Sequence, residues 1–578
     1  MTQINIPVNP AIPDAYIEII PPSVALVQGV PTNMVAVVGT ATWGPVNSPT
    51  PLSQNNYAFN FGAIQPRTYD MGTQITCASL AGATNFMGVR VTDGTDVAAT
   101  AILGLKTATS AVVVGGSGYT TSSVVTLSNG AVINVTAVTS GAITAFTEAS
   151  PPTSSVTGTG AVTAVSATGG GTGATFTYTY ANGATIASKY TGSGANGDTV
   201  AISTGSAAST NKVTVTRSGR TPEVFDNIPG TGATFWANLV AAINNGQTGL
   251  RGASGMIVAT LGASTASPVA SSVTLAGGVD GVTTITSAVL VGQDTGTRTG
   301  MYALRGTGPG LLVLADCADY TTLPAQTSFC LSEGFYGIGV GPSGEYTNLV
   351  TVAANKAAAG IDTYAMKVLV GDFAYFLDVA NGGAARMVSP QGFAAGQEAS
   401  LLPFQSGLNK PIAGIVGTQK SYAKQVYAEA DLQVIGQAGL DIIANPNPGG
   451  NYFGLRFGKN ASSSAAINGD NYSRMIPYLA YSLKTVTGQF VGEVITADQA
   501  ADAVACVTTF LAGLANANPP WISNPQGTQP FSVAIDLSRA SGGYEIMNVN
   551  VQLGPIVFLF VLNLQAGQTV SIAAVPNL

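Results

Sequence analysis

Histidine is absent from this chain of 578 residues, and charged side chains make up only 8% of it, against about 25% in ordinary soluble proteins. The first absence removes the side chain that most often serves as general base and as metal ligand, and it makes a Ser-His-Asp triad impossible. The second leaves a surface too thinly charged for a solitary monomer, which points to a chain covered by copies of itself or by partners. Long apolar runs are missing too. The longest, residues 556–562, falls far short of the roughly 20 residues that cross a bilayer, and the opening MTQINIPVNP has no basic-then-apolar signal, so the expectation is a soluble, unsecreted chain. The four cysteines, Cys77, Cys317, Cys330 and Cys506, show no CxxC spacing. That favours free buried thiols in a reducing compartment over bridges or zinc. The 21 basic against 28 acidic residues, a formal net charge of −7 and the lack of a basic block argue against a phosphate-neutralising nucleic-acid binder.

What is present is glycine, small residues and alternating structure signals. At this length a single core is exceeded, and several domains are expected. Residues 14–20 are rich in β-formers and bounded by Pro13 and by Pro21 and Pro22, which reads as a short extended strand with no hairpin partner nearby. A strand at 34–38, a helix at 70–83 capped by Asp70 and a strand at 86–91 follow. Residues 101–180 are Gly, Ser, Thr, Ala and Val with almost no charge, and their β-rich runs between turn signals indicate a small all-β module. A helix at 233–245 presents Phe235, Leu239, Ala242 and Ile243 on one face. From about residue 300, strands at 311–314, 335–340 and 366–370 alternate with helices at 326–333 and 346–358, as expected of a largely parallel sheet. Helices at 472–487 and 498–512, the second capped by Asp498, precede a strand at 546–553 in which Asn548, Asn550 and Gln552 alternate with Met547, Val549, Val551 and Leu553. Strands are expected at 556–562 and 569–575, so both termini read as isolated strands that must join a sheet, in their own subunit or by augmenting a neighbour.

Catalytic motifs fail their context. Gly192, Gly194 and Gly197 give GxGxxG but precede a strand and open no helix, and Gly458-Lys459-Asn460 lacks both the earlier glycine and the Ser or Thr of a phosphate loop. Asp498 and Asp502, one helical turn apart, suit a solvated N-terminal helix face better than acid-base chemistry. No catalytic residue, metal ligand or cofactor is assigned.

The segment GVPTNMVAVVGTATWGPVNSPTPLSQNNYAFNFG at 29–62 resembles the N-terminal signature of contractile tail sheath proteins of phages and related injection machines. FMGVRV at 86–91, LAGGVDG at 275–281, a proline and glycine loop SPQGFAAG at 389–396, NYFGLRFGK at 451–459 and residues 548–572 fit the same pattern in the same order. The resemblance implies an α/β multidomain protein: an α/β sheath core domain (291–564), a peripheral α+β domain (26–104 with 181–290), an inserted, outward-facing all-β module (105–180) and extended terminal arms (1–25 and 565–578). It further implies that the arm strands, Asp14, Ala15, Tyr16, Ile17, Glu18, Ile19 and Ile20 at one end and Thr569, Val570, Ser571, Ile572 and Ala573 at the other, pair with a sheet in the C-terminal domain of adjacent subunits. The partners so implied are other copies in a helical homo-polymer, an inner tail tube protein, and baseplate and tail terminator proteins, with no direct nucleic-acid contact and no membrane insertion. The place implied is a virion tail assembled in host cytoplasm, or a phage-derived injector. Lys420, Lys424 and Lys484 are candidate tube contacts, and a solvated face accounts for them equally well. With no nucleotide site, contraction would draw on energy stored in a metastable lattice. The competing reading is a surface adhesin or receptor-binding fibre, suggested by the Gly/Thr-rich β segment and disfavoured by the α/β alternation of residues 300–515.

Overall fold

The structure is a computed structural model that describes residues 29–558. The arm strands expected at 14–20 and 569–575 lie outside the described residues, and within the run expected as a strand at 556–562 the described residues 556–558 form none. The chain folds as two compact units, one containing residues 29–37, 74–87 and 304–558, the other residues 38–73 and 88–303.

In the first unit, strands Met366–Leu369, Phe335–Val340 and Gly310–Leu314 lie side by side, continued in that order by Val35–Gly39 and Phe86–Arg90, of which residues 35–37 and 86–87 belong to this unit. The first three are parallel, in the registers Gly337↔Met366 and Gly310↔Phe335, and are joined through helices Leu323–Glu333 and Leu349–Ala358. This is the expected strand and helix alternation. Parallel strands covered on both faces read as continuous apolar runs, and GLLVL, FYGIGV and VAVVG are buried at every position. Strand Met366–Leu369, MKVL, is equally buried but carries a lysine.

One expected loop is a helix. The preceding strand ends at Val388; Pro390 supplies the N-cap and Gln391–Ser400 is helical. The glycines serve close approach: a Cβ on Gly392 would stand 2.6 Å from the Gln74 carbonyl oxygen, and one on Gly396 would stand 2.2 Å from that of Ala78. The spacing of four residues puts both on one face, so this helix lies backbone to backbone against residues 74–80. Gln74 locks the contact, its Oε1 accepting from the Gly392 N–H at 2.8 Å while its Nε2 donates to Asp316 at 2.8 Å.

The second unit is mixed. Strands Glu223–Pro229, Thr210–Thr216, Thr199–Thr204 and Ser271–Thr274 form one antiparallel sheet; Ile257–Leu261, Ala184–Ser188 and Thr100–Leu103 form another. Helix Gly232–Asn245 buries Phe235, Trp236, Leu239, Ala242 and Ile243 in their shared core. Asp70 acts as the expected cap, its Oδ2 accepting from the Thr73 N–H at 2.7 Å.

Residues 106–181 make a separate six-stranded sheet whose hydrophobic cluster is its own, built on Val125, Ile133, Val135, Phe176 and Tyr178. Its outer strands approach one another, since a Cβ on Gly115 would stand 2.7 Å from the Ile143 carbonyl and the Tyr119 N–H donates to the Gly141 carbonyl at 2.9 Å. The sheet therefore curls toward a barrel. The chain enters at Lys106 and leaves at Ala181, and these two residues are paired neighbours. Replacing residues 107–180 with an Asn-Gly turn is accordingly expected to leave a soluble chain whose main thermal transition shifts by no more than about 2 °C, because a two-residue turn closes an antiparallel pair. Aggregation or loss of that transition would show that the barrel supports the rest of the unit.

Candidate functional site

The C-terminal hairpin pairs Phe531–Asp536 with Ile546–Val551, from Phe531↔Val551 to Asp536↔Ile546. Period-two patterning sets its faces. Phe531, Val533, Met547, Val549 and Val551 pack into a cluster with Met475, Tyr478 and Leu479 of helix Asp470–Gly488 and with Val507 and Leu511 of helix Ala497–Ala515. Ser532, Ala534, Asn548 and Asn550 are exposed. The second helix is capped by Thr496, whose hydroxyl accepts from the Gln499 N–H at 3.1 Å, and not by Asp498, which occupies the first turn. The cap lies two residues earlier than expected because the chain becomes extended at Thr496 rather than at Asp498. Among the described residues no third strand joins the hairpin, so both of its outer edges present backbone donors and acceptors that a sheet would otherwise pair.

Helix Asp470–Gly488 is also where the described ends of the chain attach. The Val30 N–H donates to Ser482 Oγ at 2.9 Å, and Asn471 Nδ2 donates to the Gly554 carbonyl at 3.1 Å.

Its first turn is fixed to the parallel sheet by a fully buried ionic cluster. Lys367, on strand Met366–Leu369, places Nζ 2.8 Å from Asp441 Oδ2, 2.9 Å from Asp470 Oδ2 and 3.7 Å from Glu398 Oε1, all at zero side-chain exposure. Tyr336 donates to Asp470 Oδ1 at 2.5 Å, and Asp441 accepts from the backbone N–H groups of Ile442, Phe457 and Gly458 at 2.8 to 3.0 Å. Arg474, one turn beyond Asp470, donates to the Leu401 and Leu402 carbonyls at 2.8 and 3.2 Å and lies 3.9 Å from Glu398 Oε2. Burial opposes charge on Lys367, Glu398, Asp470 and Arg474. Asp470 is nevertheless held below the usual carboxylate range, because Lys367 and the Tyr336 hydroxyl outweigh that burial. Lys367 is raised, its burial outweighed by Asp441, Asp470 and Glu398.

Glu398 behaves in the opposite way. Burial, then the neighbouring Asp470 charge, push its carboxyl up to about 8 against the pull of Lys367 and Arg474. Three carboxyl groups face two cations here, and a protonated Glu398 balances them. A carboxyl whose folded-state value exceeds its unfolded one contributes stability that is complete below the ordinary carboxylate range and is lost as pH rises through the folded value. Subunit stability should therefore decline from about pH 4.5 up to about pH 8 on account of this residue. Glu398→Gln, which keeps the shape and never ionises, is expected to flatten that decline. Parallel melting curves for the two proteins between pH 5 and 9 would show instead that Glu398 is charged throughout.

The sequence-derived candidates do not converge here. The arm residues lie outside the described residues. Lys420 is buried, its Nζ 3.6 Å from Asp431 and 4.4 Å from the Tyr427 ring centroid, whereas Lys424 and Lys484 are exposed. Sequence reasoning missed the ionic cluster, although one signal was available: a lysine inside the apolar run of a strand, in a chain where charge is scarce.

No protein-family model matches the chain, and no curated protein is significantly similar to it in sequence. Solved structures do match. The sheath tail protein of Listeria innocua superposes with a TM-score of 0.55 at 11% identity, over 91% of this chain and 96% of that one. The sheath tail protein of Desulfitobacterium hafniense gives 0.49 at 12% identity, over 90% and 93%. The helical sheath of the anti-feeding prophage in its contracted state gives 0.47 at 8% identity, over 96% and 99%. The fold of this chain is thus similar to that of the Listeria innocua sheath tail protein over 91% of its length.

Proposed function

We propose that this chain is the structural subunit of a contractile tail sheath, polymerising helically around an inner tube and contracting to drive that tube through a cell envelope. The observation that carries the reading is the two-edged hairpin, seated on the helix to which both described ends of the chain attach, in a fold shared with a sheath tail protein. Each hairpin strand has six residues, which suits the segments expected from sequence to be extended, 14–20 and 569–575. Addition of such a segment along a sheet edge satisfies its backbone groups without demanding a particular side-chain sequence. Two edges accept two arms, one from each of two neighbours, and this knits a mesh. The role is structural and non-catalytic, with energy held in the lattice and released on repacking.

The partners under this reading are further copies, the inner tube protein, and baseplate and terminator proteins, in a virion tail or a phage-derived injector. Lys424 and Lys484, being exposed, remain available as tube contacts; Lys420 would reach a tube only by leaving Asp431. The chain lacking residues 107–180 should still polymerise. Electron microscopy of the purified chain, alone and with tube protein, tests the proposal: hollow, helically striated cylinders are expected, and monomers or slender trimeric rods under all conditions would replace it with the fibre reading.

A further inference from the structure

The second unit contains a cleft of about 590 Å³ lined by Trp43, Phe59, Tyr190, Arg220 and Glu223 among others. Its charges do not cancel. Arg217 and Arg220 stack on the Trp43 ring with guanidinium carbons 4.2 and 4.7 Å from its centroid, and Arg220 also lies 4.0 Å from the centroid of Phe59. Arg217 is neutralised by Asp198, to which its Nε donates at 2.9 Å and its terminal nitrogen at 2.6 Å. Glu223 is likewise occupied: Oε1 accepts from the Gly255 N–H at 2.9 Å and faces Arg251 at 3.4 Å, and Oε2 accepts from the Ser254 hydroxyl.

Arg220 is left over. Among the described residues it has no ion pair, and its buried Nε has no hydrogen-bond partner. Trp43, only 2% exposed, also keeps a buried Nε1 donor with no acceptor. Two unsatisfied donors therefore belong to side chains lining one cleft, where leaving buried donors unmet is costly. The aromatic faces hold the Arg220 guanidinium in place. Burial, then the Arg217 charge, lower it to about 10, and at neutral pH it remains a cation. Three guanidinium groups against two carboxylates leave one positive charge, on a chain whose formal net charge is −7.

We propose that this cleft binds a carboxylate, held by the Arg220 guanidinium and the Trp43 indole N–H. A single planar anion matches one surplus charge and the flat donor edge of a stacked arginine, whereas a phosphate dianion would overcharge the site. The carboxylate can belong to a free small acid or to an Asp or Glu side chain of a second copy; only the latter source rests on the sheath reading.

Titration calorimetry of the full chain with glutamate and with glucuronate, using glucose as the neutral control, examines the first source. Saturable binding of an acid, none of glucose, and about tenfold weaker binding by Arg220→Gln are expected if the ligand is free. Sedimentation examines the second: an approximately tenfold rise in the concentration at which Arg220→Gln polymerises, at unchanged melting temperature, assigns the carboxylate to a neighbouring copy. Absence of acid binding by the wild-type chain together with unchanged polymerisation of the variant overturns the proposal. Should Arg220→Gln not fold, Trp43→Phe, which keeps the ring and removes the donor, decides by the same readings. If the wild-type chain does not polymerise at all, the sheath reading fails, and the acid titrations alone decide the cleft.

Discussion

Lys367→Met is expected to remove a large share of the stability of the unit that carries the hairpin. The substitution preserves length and apolar packing but leaves Asp441 and Asp470 buried without the ammonium group that sits 2.8 and 2.9 Å from them. Arg474 does not replace it, since its nearest carboxylate oxygen, on Glu398, is 3.9 Å away and both of its terminal nitrogens donate to backbone carbonyls. Removing one partner of a buried pair costs about 3–5 kcal/mol, a large share of the roughly 5–15 kcal/mol that holds a domain together. Urea unfolding of the soluble subunit measures it. Combining Lys367→Met with Asp470→Asn should recover part of the loss, because the second change removes a stranded charge and keeps an acceptor for Tyr336. A loss below about 1 kcal/mol for the single variant would mean that water reaches the cluster and that the helix is fixed by packing alone.

Deleting residues 1–22 is expected to do the reverse: stability unchanged, assembly abolished. Chain linkage in the proposed mesh comes from strand addition, and losing one of two linked contacts lowers effective affinity on the order of a hundredfold or more. The truncated chain should remain soluble with a wild-type melting temperature, since it keeps all of residues 29–558, over which both units are described. Sedimentation at concentrations where the intact chain pellets as polymer gives the answer. Normal polymerisation of the truncation would remove the arm from the account.

The sequence was most legible where one physical signal acted alone. The parallel strands announced themselves as continuous apolar runs, and helix Gly232–Asn245 showed its buried face by spacing, with only Trp236 overlooked. The hairpin faces followed from the alternation of Asn548 and Asn550 with Met547, Val549 and Val551. Legibility failed where tertiary contact decides. SPQGFAAG carries two glycines and a proline and reads as a loop, yet Gly392 and Gly396 are helical because a second helix lies against them. The ionic cluster draws Tyr336, Lys367, Glu398, Asp441 and Asp470 from distant points of the sequence, and no local spacing connects them. The same holds for the carboxylate cleft, where Trp43 meets Arg220 only through the fold.

Strand exchange at the hairpin is the central claim, and helical reconstruction of the polymer formed by the full chain on its tube tests it most directly. The account predicts density for residues 1–25 and 565–578 running as added strands along the free edges of Phe531–Asp536 and Ile546–Val551 in neighbouring subunits. Hairpin edges left bare, with both arms folded back within their own subunit, would contradict it.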